Sequence, residues 1–223
     1  MRVGIEVGGT FTDLVVVDAE GIRTAKVPST PARPDEGAMN AIDAAGIDPA
    51  AIEELVHGST VATNAVLERK GARVCLFVTK GTRDVLLLQR HDRGSIYDLH
   101  YRKPEPVVSR RDTFEINERL SASGEVIQPL DEAAAAELVR AVLADGNYQA
   151  AAICFLHSYA DPGHEQALAR IIADAAPTIT VTCSSDVTRE FREYERTSTT
   201  TLAAYVQPVI AGYGTRFSDG LAA

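Results

Sequence analysis

The residues best suited to chemistry lie near the start of the chain, in Gly8-Gly9-Thr10-Phe11-Thr12-Asp13, with Glu6 two positions ahead of them. A Gly-Gly turn lets a ligand approach the backbone with no Cβ in the way. Backbone N–H groups and Thr hydroxyls in such a turn can surround a phosphate. Glu6, on the incoming strand, could hold a Mg²⁺ through water. The same spacing also fits a plain hairpin whose glycines only satisfy turn geometry. A second polar cluster is His57-Gly58-Ser59-Thr60-Val61-Ala62-Thr63-Asn64. It follows a strand pattern and enters a helix, a place that suits an anion or a polar substrate. Simple capping by Ser59 or Thr60 is the alternative there, and local satisfaction is the stronger reading for His57 taken alone. His157-Ser158-Tyr159, with Asp161, His164 and Glu165 behind it, lacks helical metal-ligand spacing and reads as capping.

These residues need elements to position them. Val3, Ile5 and Val7 alternate, and Leu14 to Val17 is an apolar run, so strand, glycine turn, strand is expected. A third strand is expected at Ile22 to Val27 and a helix from Asp35 to Ala45, stopped by Gly46. Further strands are expected at Ile52 to Val56, Arg73 to Thr79, Ala150 to Leu156 and Thr178 to Cys183. Val61 to Lys70, Asp131 to Asp145, a run from Asp161 that ends before Pro177, and a last run from Thr197 to Phe217 read as helices, the last with Pro208 inside it. Lys80 to Pro106 reads as a long ordered loop. Thr113 to Leu120 and Glu125 to Leu130 read as a hairpin. The alternation implies an α/β fold with one mixed sheet flanked by helices. Ligands of such sheets bind beyond the carboxyl ends of strands, which again selects Gly8 to Asp13 and His57 to Asn64.

Composition narrows the function. A net charge of −9 argues against a nucleic-acid or anionic-membrane surface. No apolar run approaches the length of a membrane span, and the opening strand leaves no place for a signal peptide. Cys75, Cys154 and Cys183 sit in apolar contexts without C-x-x-C spacing, which suggests core thiols in a reducing cytoplasm.

Several stretches together resemble the hydantoinase A / 5-oxoprolinase family, which includes the acetone carboxylase β-subunit. They are Gly4 to Asp13, His57 to Ala65 with Glu68-Arg69-Lys70-Gly71-Ala72, Thr79 to Leu86, Tyr97-Asp98-Leu99, Pro104-Glu105-Pro106, Phe155 to Pro162, and Arg192 to Arg196 followed by Tyr205 to Pro208. The resemblance implies an RNase H-like domain of the sugar-kinase/actin type. It also implies an ATP-dependent enzyme that activates an amide or carbonyl oxygen as a phosphate ester. Carried over, Gly8, Gly9, Thr10, Phe11 and Thr12 would cradle the ATP phosphates, Asp13 would flank the turn and Glu6 would stand near Mg²⁺. His57, Ser59, Thr60, Thr63, Asn64, Arg83 and Arg90 would face the substrate. The family pattern has Asp at the position of Glu6. The extra methylene moves the carboxylate by about one bond length, a displacement of the size that can cost on the order of 100-fold near the chemistry.

The resemblance further implies an N-terminal family domain over 1–196, with an insertion at about 80–130. Residues 197–223 would start a linker helix toward a second domain, and that domain would carry the second phosphate loop and the adenosine loop. The chain alone then holds about half an ATP site, with weak or absent turnover expected. A small cyclic amide is the expected substrate, with a ketone and carboxylation as the alternative and a non-catalytic assembly module as a third reading. A hydantoinase B-type partner subunit is implied, and self-association through an exposed docking face is a further expectation.

Overall fold

The computed structural model describes residues 1–90 and 92–222; His91, in the expected long loop, and Ala223 lie outside the described residues. The chain parts into two compact units, one of residues 1–71 and 209–223, the other of residues 72–208.

In the first unit, β1 (Arg2–Val7), β2 (Phe11–Asp18) and β3 (Gly21–Pro28) form an antiparallel meander. After α1 (Pro34–Ala44), β4 (Glu54–Ser59) lies parallel to β1, giving the sheet order β3-β2-β1-β4. The alternation on β1 and β2 does what its period dictates: Val3, Ile5, Val7, Leu14 and Val16 are all buried on one face. On that face α1 lays down Ala38, Ala41 and Ile42, the two alanines letting the helix come close to the sheet and Ile42 filling the core. Pro34, Asp35 and Glu36 suit the helix start, where the N–H groups are unpaired and the dipole is positive. At its end Gly46 N–H reaches the Asp43 carbonyl and Ile47 N–H the Ile42 carbonyl, and Ile47 joins the core. Phe217, from the last turns of the chain, belongs to the same core.

β4 runs three residues further than expected. His57, Gly58 and Ser59 pair with Ile5, Glu6 and Val7, so the polar residues that read as a turn are strand. Pairing to β1 outweighs their weak strand propensity. The turn begins at Thr60, and α2 is short, Val61–Leu67.

The second unit has its own sheet. β5 (Val74–Thr79) is buried at every position, as its unbroken apolar run requires. A short helix α3 (Val85–Leu88) precedes residues 89–90 and 92–109, which carry little regular structure. β6 (Thr113–Ile116) pairs parallel with β5, while only β7 (Arg119–Leu120) and β8 (Val126–Gln128) make the hairpin. The expected hairpin is thus split. Phe114 packs on Phe77 at 5.8 Å between ring centroids, which binds its strand to the main sheet.

α4 (Glu132–Asp145) starts on Asp131, whose side chain accepts from Ala134 N–H. β9 (Ala150–Cys154), α5 (Gly163–Ala175), β10 (Thr180–Cys183) and α6 (Ser184–Val187) complete the sheet order β10-β9-β5-β6, all parallel. α7 (Glu193–Ala222) runs unbroken past residues 196 and 197 and carries Pro208 inside it. The single mixed sheet expected is therefore two four-stranded sheets. β5 takes both its partners, β6 and β9, from its own unit and none from β4.

All three cysteines are buried, and burial pushes the thiols of Cys75 and Cys183 up to about 12. A thiol so raised is protonated at neutral pH and is no nucleophile. No helix among the described residues is long and apolar enough to cross a membrane.

Candidate phosphate-binding turn and adjoining pocket

Gly8 to Thr10 join β1 to β2. Gly8 N–H closes the turn on the Phe11 carbonyl at 3.1 Å, and Ser29 N–H holds the Thr10 carbonyl at 2.9 Å. The two glycines have different reasons to be there. A Cβ at Gly8 would stand 3.0 Å from the Phe11 carbonyl oxygen, so the turn itself favours glycine. A Cβ at Gly9 would meet only Asn64 Nδ2 at 3.8 Å, an ordinary contact, and its φ is not left-handed. Nothing within the fold requires glycine at position 9. Its exposed backbone is open to close approach from outside.

The turn is braced from α2. Thr60 N–H reaches the Val7 carbonyl at 3.2 Å, and Asn64 Nδ2 donates to Thr60 Oγ1 at 3.2 Å. Ser59 Oγ accepts from Val61 N–H at 3.2 Å. Thr63 is exposed on the same helix. Beside the turn lies a pocket of about 600 Å³. Its walls come from the Gly8-Gly9 backbone, Ser29 to Ala32, Pro34, Thr60, Asn64, Glu68 and Lys70, and from Tyr213 and Arg216 on α7. The pocket stands beyond the carboxyl ends of the parallel strands β1 and β4, where α/β sheets bind ligands.

Other candidates are placed differently. Thr12 is fully buried, with its hydroxyl 3.0 Å from Ser29 Oγ, so it pins the turn to the β3–α1 loop and does not line the pocket. His57 is held inside the unit. Its Nδ1–H donates to the Ile5 carbonyl at 3.1 Å and its Nε2 accepts from Tyr213 O–H at 2.5 Å. Phe217 lies against its ring at 4.9 Å. It braces β4 against α7 and does not line the pocket. Arg83 and Arg90 belong to the second unit, where Arg83 donates to the Arg110 carbonyl and Arg90 pairs with Glu195. His164 Nδ1 lies 2.8 Å from Glu118, and His157 Nδ1 lies 3.1 Å from Tyr159 O–H.

Glu6 and Asp13 stand opposite each other across β1 and β2. Asp13 is paired with Lys26 at 2.7 Å, and that ammonium also lies over the exposed Phe11 ring at 5.2 Å. Glu6 is exposed, and its carboxylate fills the space where a Cβ on Gly58 would be, 2.0 Å away. One or two carboxylates beside a phosphate are the usual protein share of Mg²⁺ binding, and of this pair Asp13 is already engaged by Lys26.

Burial holds His57 below its ordinary pKa range. The unfolded chain therefore binds more protons than the folded one below about pH 6.5. Stability is complete above that value and falls as pH drops through it. The urea midpoint of the first unit should decrease from pH 7.5 to pH 5.5, with a smaller decrease for His57→Gln. An identical decrease in the variant would rule out His57 as the cause.

The family profile described as the hydantoinase/oxoprolinase N-terminal region matches residues 2–176. The chain belongs to that family. An uncharacterized protein of Methanocaldococcus jannaschii is 40% identical over 225 residues, covering 99% of this chain and 33% of the relative. Caprolactamase subunit alpha of Pseudomonas jessenii is 35% identical, covering 95% of this chain and 32% of that subunit. The crystal structure of the ATP-dependent caprolactamase from the same organism superposes with a TM-score of 0.84 at 33% identity, covering 99% of this chain and 34% of that one. The nucleotide-free structure of acetone carboxylase, from work on ATP-dependent acetone carboxylation, gives 0.85 at 28% identity, again over 99% and 34%. The chain thus spans about one third of the length of these family relatives. The α/β architecture expected from sequence is theirs.

The sequence pointed to the turn and to Thr60 and Asn64, but not to the rest of the pocket. Pro28 to Pro34 reads from sequence only as a proline-punctuated loop. Tyr213, Arg216 and Phe217 gave one signal, their spacing along a single helix face.

Proposed function

We propose that the chain is the N-terminal, phosphate-seating portion of an ATP-dependent enzyme that opens cyclic amides. The observation that carries this is Gly9, a glycine the fold does not need, exposed in a braced turn next to a pocket. A triphosphate lying on the Gly8-Gly9-Thr10 backbone would be held by N–H groups and the Thr10 hydroxyl. Glu6, with Asp13 beside it, would hold Mg²⁺ through water, and the ion would neutralise charge on the phosphates. Phosphoryl transfer needs positioning and charge neutralisation more than a protein nucleophile, and this site offers those. When bound, ATP would supply its γ-phosphoryl group to the amide oxygen of the substrate, with ADP as the leaving group and the amide N–H proton passing to solvent, and the amide so activated would be open to hydrolysis.

In this reading the chain alone turns over weakly or not at all, works in the cytoplasm and acts with a hydantoinase B-type subunit. Ile96, Tyr97 and Leu99, at 73%, 94% and 91% exposure, supply apolar surface suited to a partner. A ketone carboxylase is the second reading, favoured by the superposition on acetone carboxylase. Phosphate release by the full-length protein with its partner separates the two. Stimulation by hydantoin or caprolactam and not by acetone with bicarbonate is expected; the reverse pattern would establish the carboxylase.

A further inference from the structure

The pocket beside the turn carries information about what enters it. Building on the phosphate seat proposed above, we infer that it holds the phosphoryl acceptor, and that this acceptor is an uncharged carbonyl compound and not a carboxylate.

The position comes first. The pocket opens directly from the Gly8-Gly9 backbone, so an acceptor within it lies next to a phosphate on the turn. Its volume of about 600 Å³ suits a small molecule. Much of its wall is apolar, from Val7, Pro31, Pro34, Val61, Ala65 and Val209.

Polar groups decide the rest. Asn64 Nδ2 uses one hydrogen on Thr60 Oγ1, and an amide nitrogen carries two. That nitrogen lies over Gly9, at the border between turn and pocket. It is suited to donate to a carbonyl oxygen beside the phosphate. Tyr213 O–H is committed to His57.

Both cations of the wall are already in ion pairs. Lys70 Nζ meets Glu68 at 2.7 Å. Arg216 Nε meets Asp35 at 3.1 Å, and the Asp35 side chain is only 6% exposed. A ligand carboxylate that drew Arg216 away would leave buried Asp35 with Arg33 alone, and breaking a buried pair is costly. The wall therefore has hydrogen-bond donors for a carbonyl but its positive charge is balanced. This favours a lactam or a cyclic imide and disfavours 5-oxoproline, which is a carboxylate at neutral pH.

The test uses the whole chain at pH 7, with ε-caprolactam, hydantoin and 5-oxoproline titrated separately and followed by amide and side-chain NMR shifts. ε-Caprolactam and hydantoin should shift Asn64 and the Gly8-Gly9 amides. 5-Oxoproline should bind at least about tenfold more weakly, the equivalent of one unfavourable charge contact. Glu68→Gln frees Lys70 on the exposed surface and should raise 5-oxoproline affinity up to about fivefold. Val61→Trp should fill the pocket and abolish binding of both uncharged compounds. Equal or tighter binding of 5-oxoproline to the unaltered chain, shifts confined to other residues, or no binding of any of the three overturns the inference. Mg-ATP is titrated on the same sample. Absence of ATP shifts at the turn would remove the phosphate seat, and with it the acceptor role, even where the lactam binds. ATP shifts without selective lactam binding would remove only the inference made here.

Discussion

Gly9→Ala should leave the fold intact and remove the response to ATP. The substituted methyl meets only Asn64 Nδ2, at 3.8 Å, and the backbone conformation suits any residue. The change in unfolding free energy should stay within about 0.5 kcal/mol. The same methyl would stand where a phosphate must approach the backbone. Broadening of the ATP β and γ resonances in ³¹P spectra, expected with the unaltered chain, should fall by at least about tenfold, or more than about 1.4 kcal/mol. Gly8→Ala is the contrast. Its methyl would press on the Phe11 carbonyl oxygen at 3.0 Å, so stability itself should fall, by about 1 kcal/mol. A Gly9→Ala chain that engages ATP normally would mean that the open backbone has no ligand.

Glu165→Ala should produce the largest loss of stability in the second unit. The Glu165 side chain is fully buried among donors. Oε1 accepts from Phe155 N–H at 2.8 Å and Ser184 O–H at 2.6 Å, with Ser158 Oγ at 2.8 Å. Oε2 accepts from Ser185 N–H at 2.9 Å and Ser185 O–H at 2.8 Å. Arg196, also fully buried, joins the same group through Ser158 Oγ at 3.0 Å and the Phe155 carbonyl at 2.5 Å. Removing the carboxylate leaves several buried donors and the Arg196 charge uncompensated. The cost should be about 3–5 kcal/mol by urea denaturation. Glu137→Ala, on the exposed face of α4 in the same unit, should cost no more than about 0.5 kcal/mol. A loss below about 1 kcal/mol for Glu165→Ala would mean that the network is not a unit.

What could be read from the sequence follows from how local the signal is. β1, β2, β5 and α4 declare themselves through period, cap and apolar run, and they lie where expected. Thr12 was legible too. It continues the phase of Leu14 and Val16, and the alternation that buries those two buries it as well. Its place in a Gly-Gly-Thr-Phe-Thr pattern suggested a ligand instead. β4 was cut short because His57-Gly58-Ser59 has turn composition, and only pairing with β1 makes it strand. That β4 and β5 sit in separate sheets depends on partners far along the chain. The pocket needed Tyr213 and Arg216 from the last helix, more than a hundred residues from Asn64, and no local pattern ties them to it.

The central claim is that the Gly8-Gly9-Thr10 backbone seats a triphosphate. The most direct measurement is a Mg-ATP titration of the unaltered chain, followed by backbone amide shifts. Shifts that saturate at Gly8, Gly9 and Thr10, extend to Asn64 and are absent with adenosine are the result predicted here. Unmoved turn amides at millimolar Mg-ATP, or equal shifts with adenosine, would contradict it.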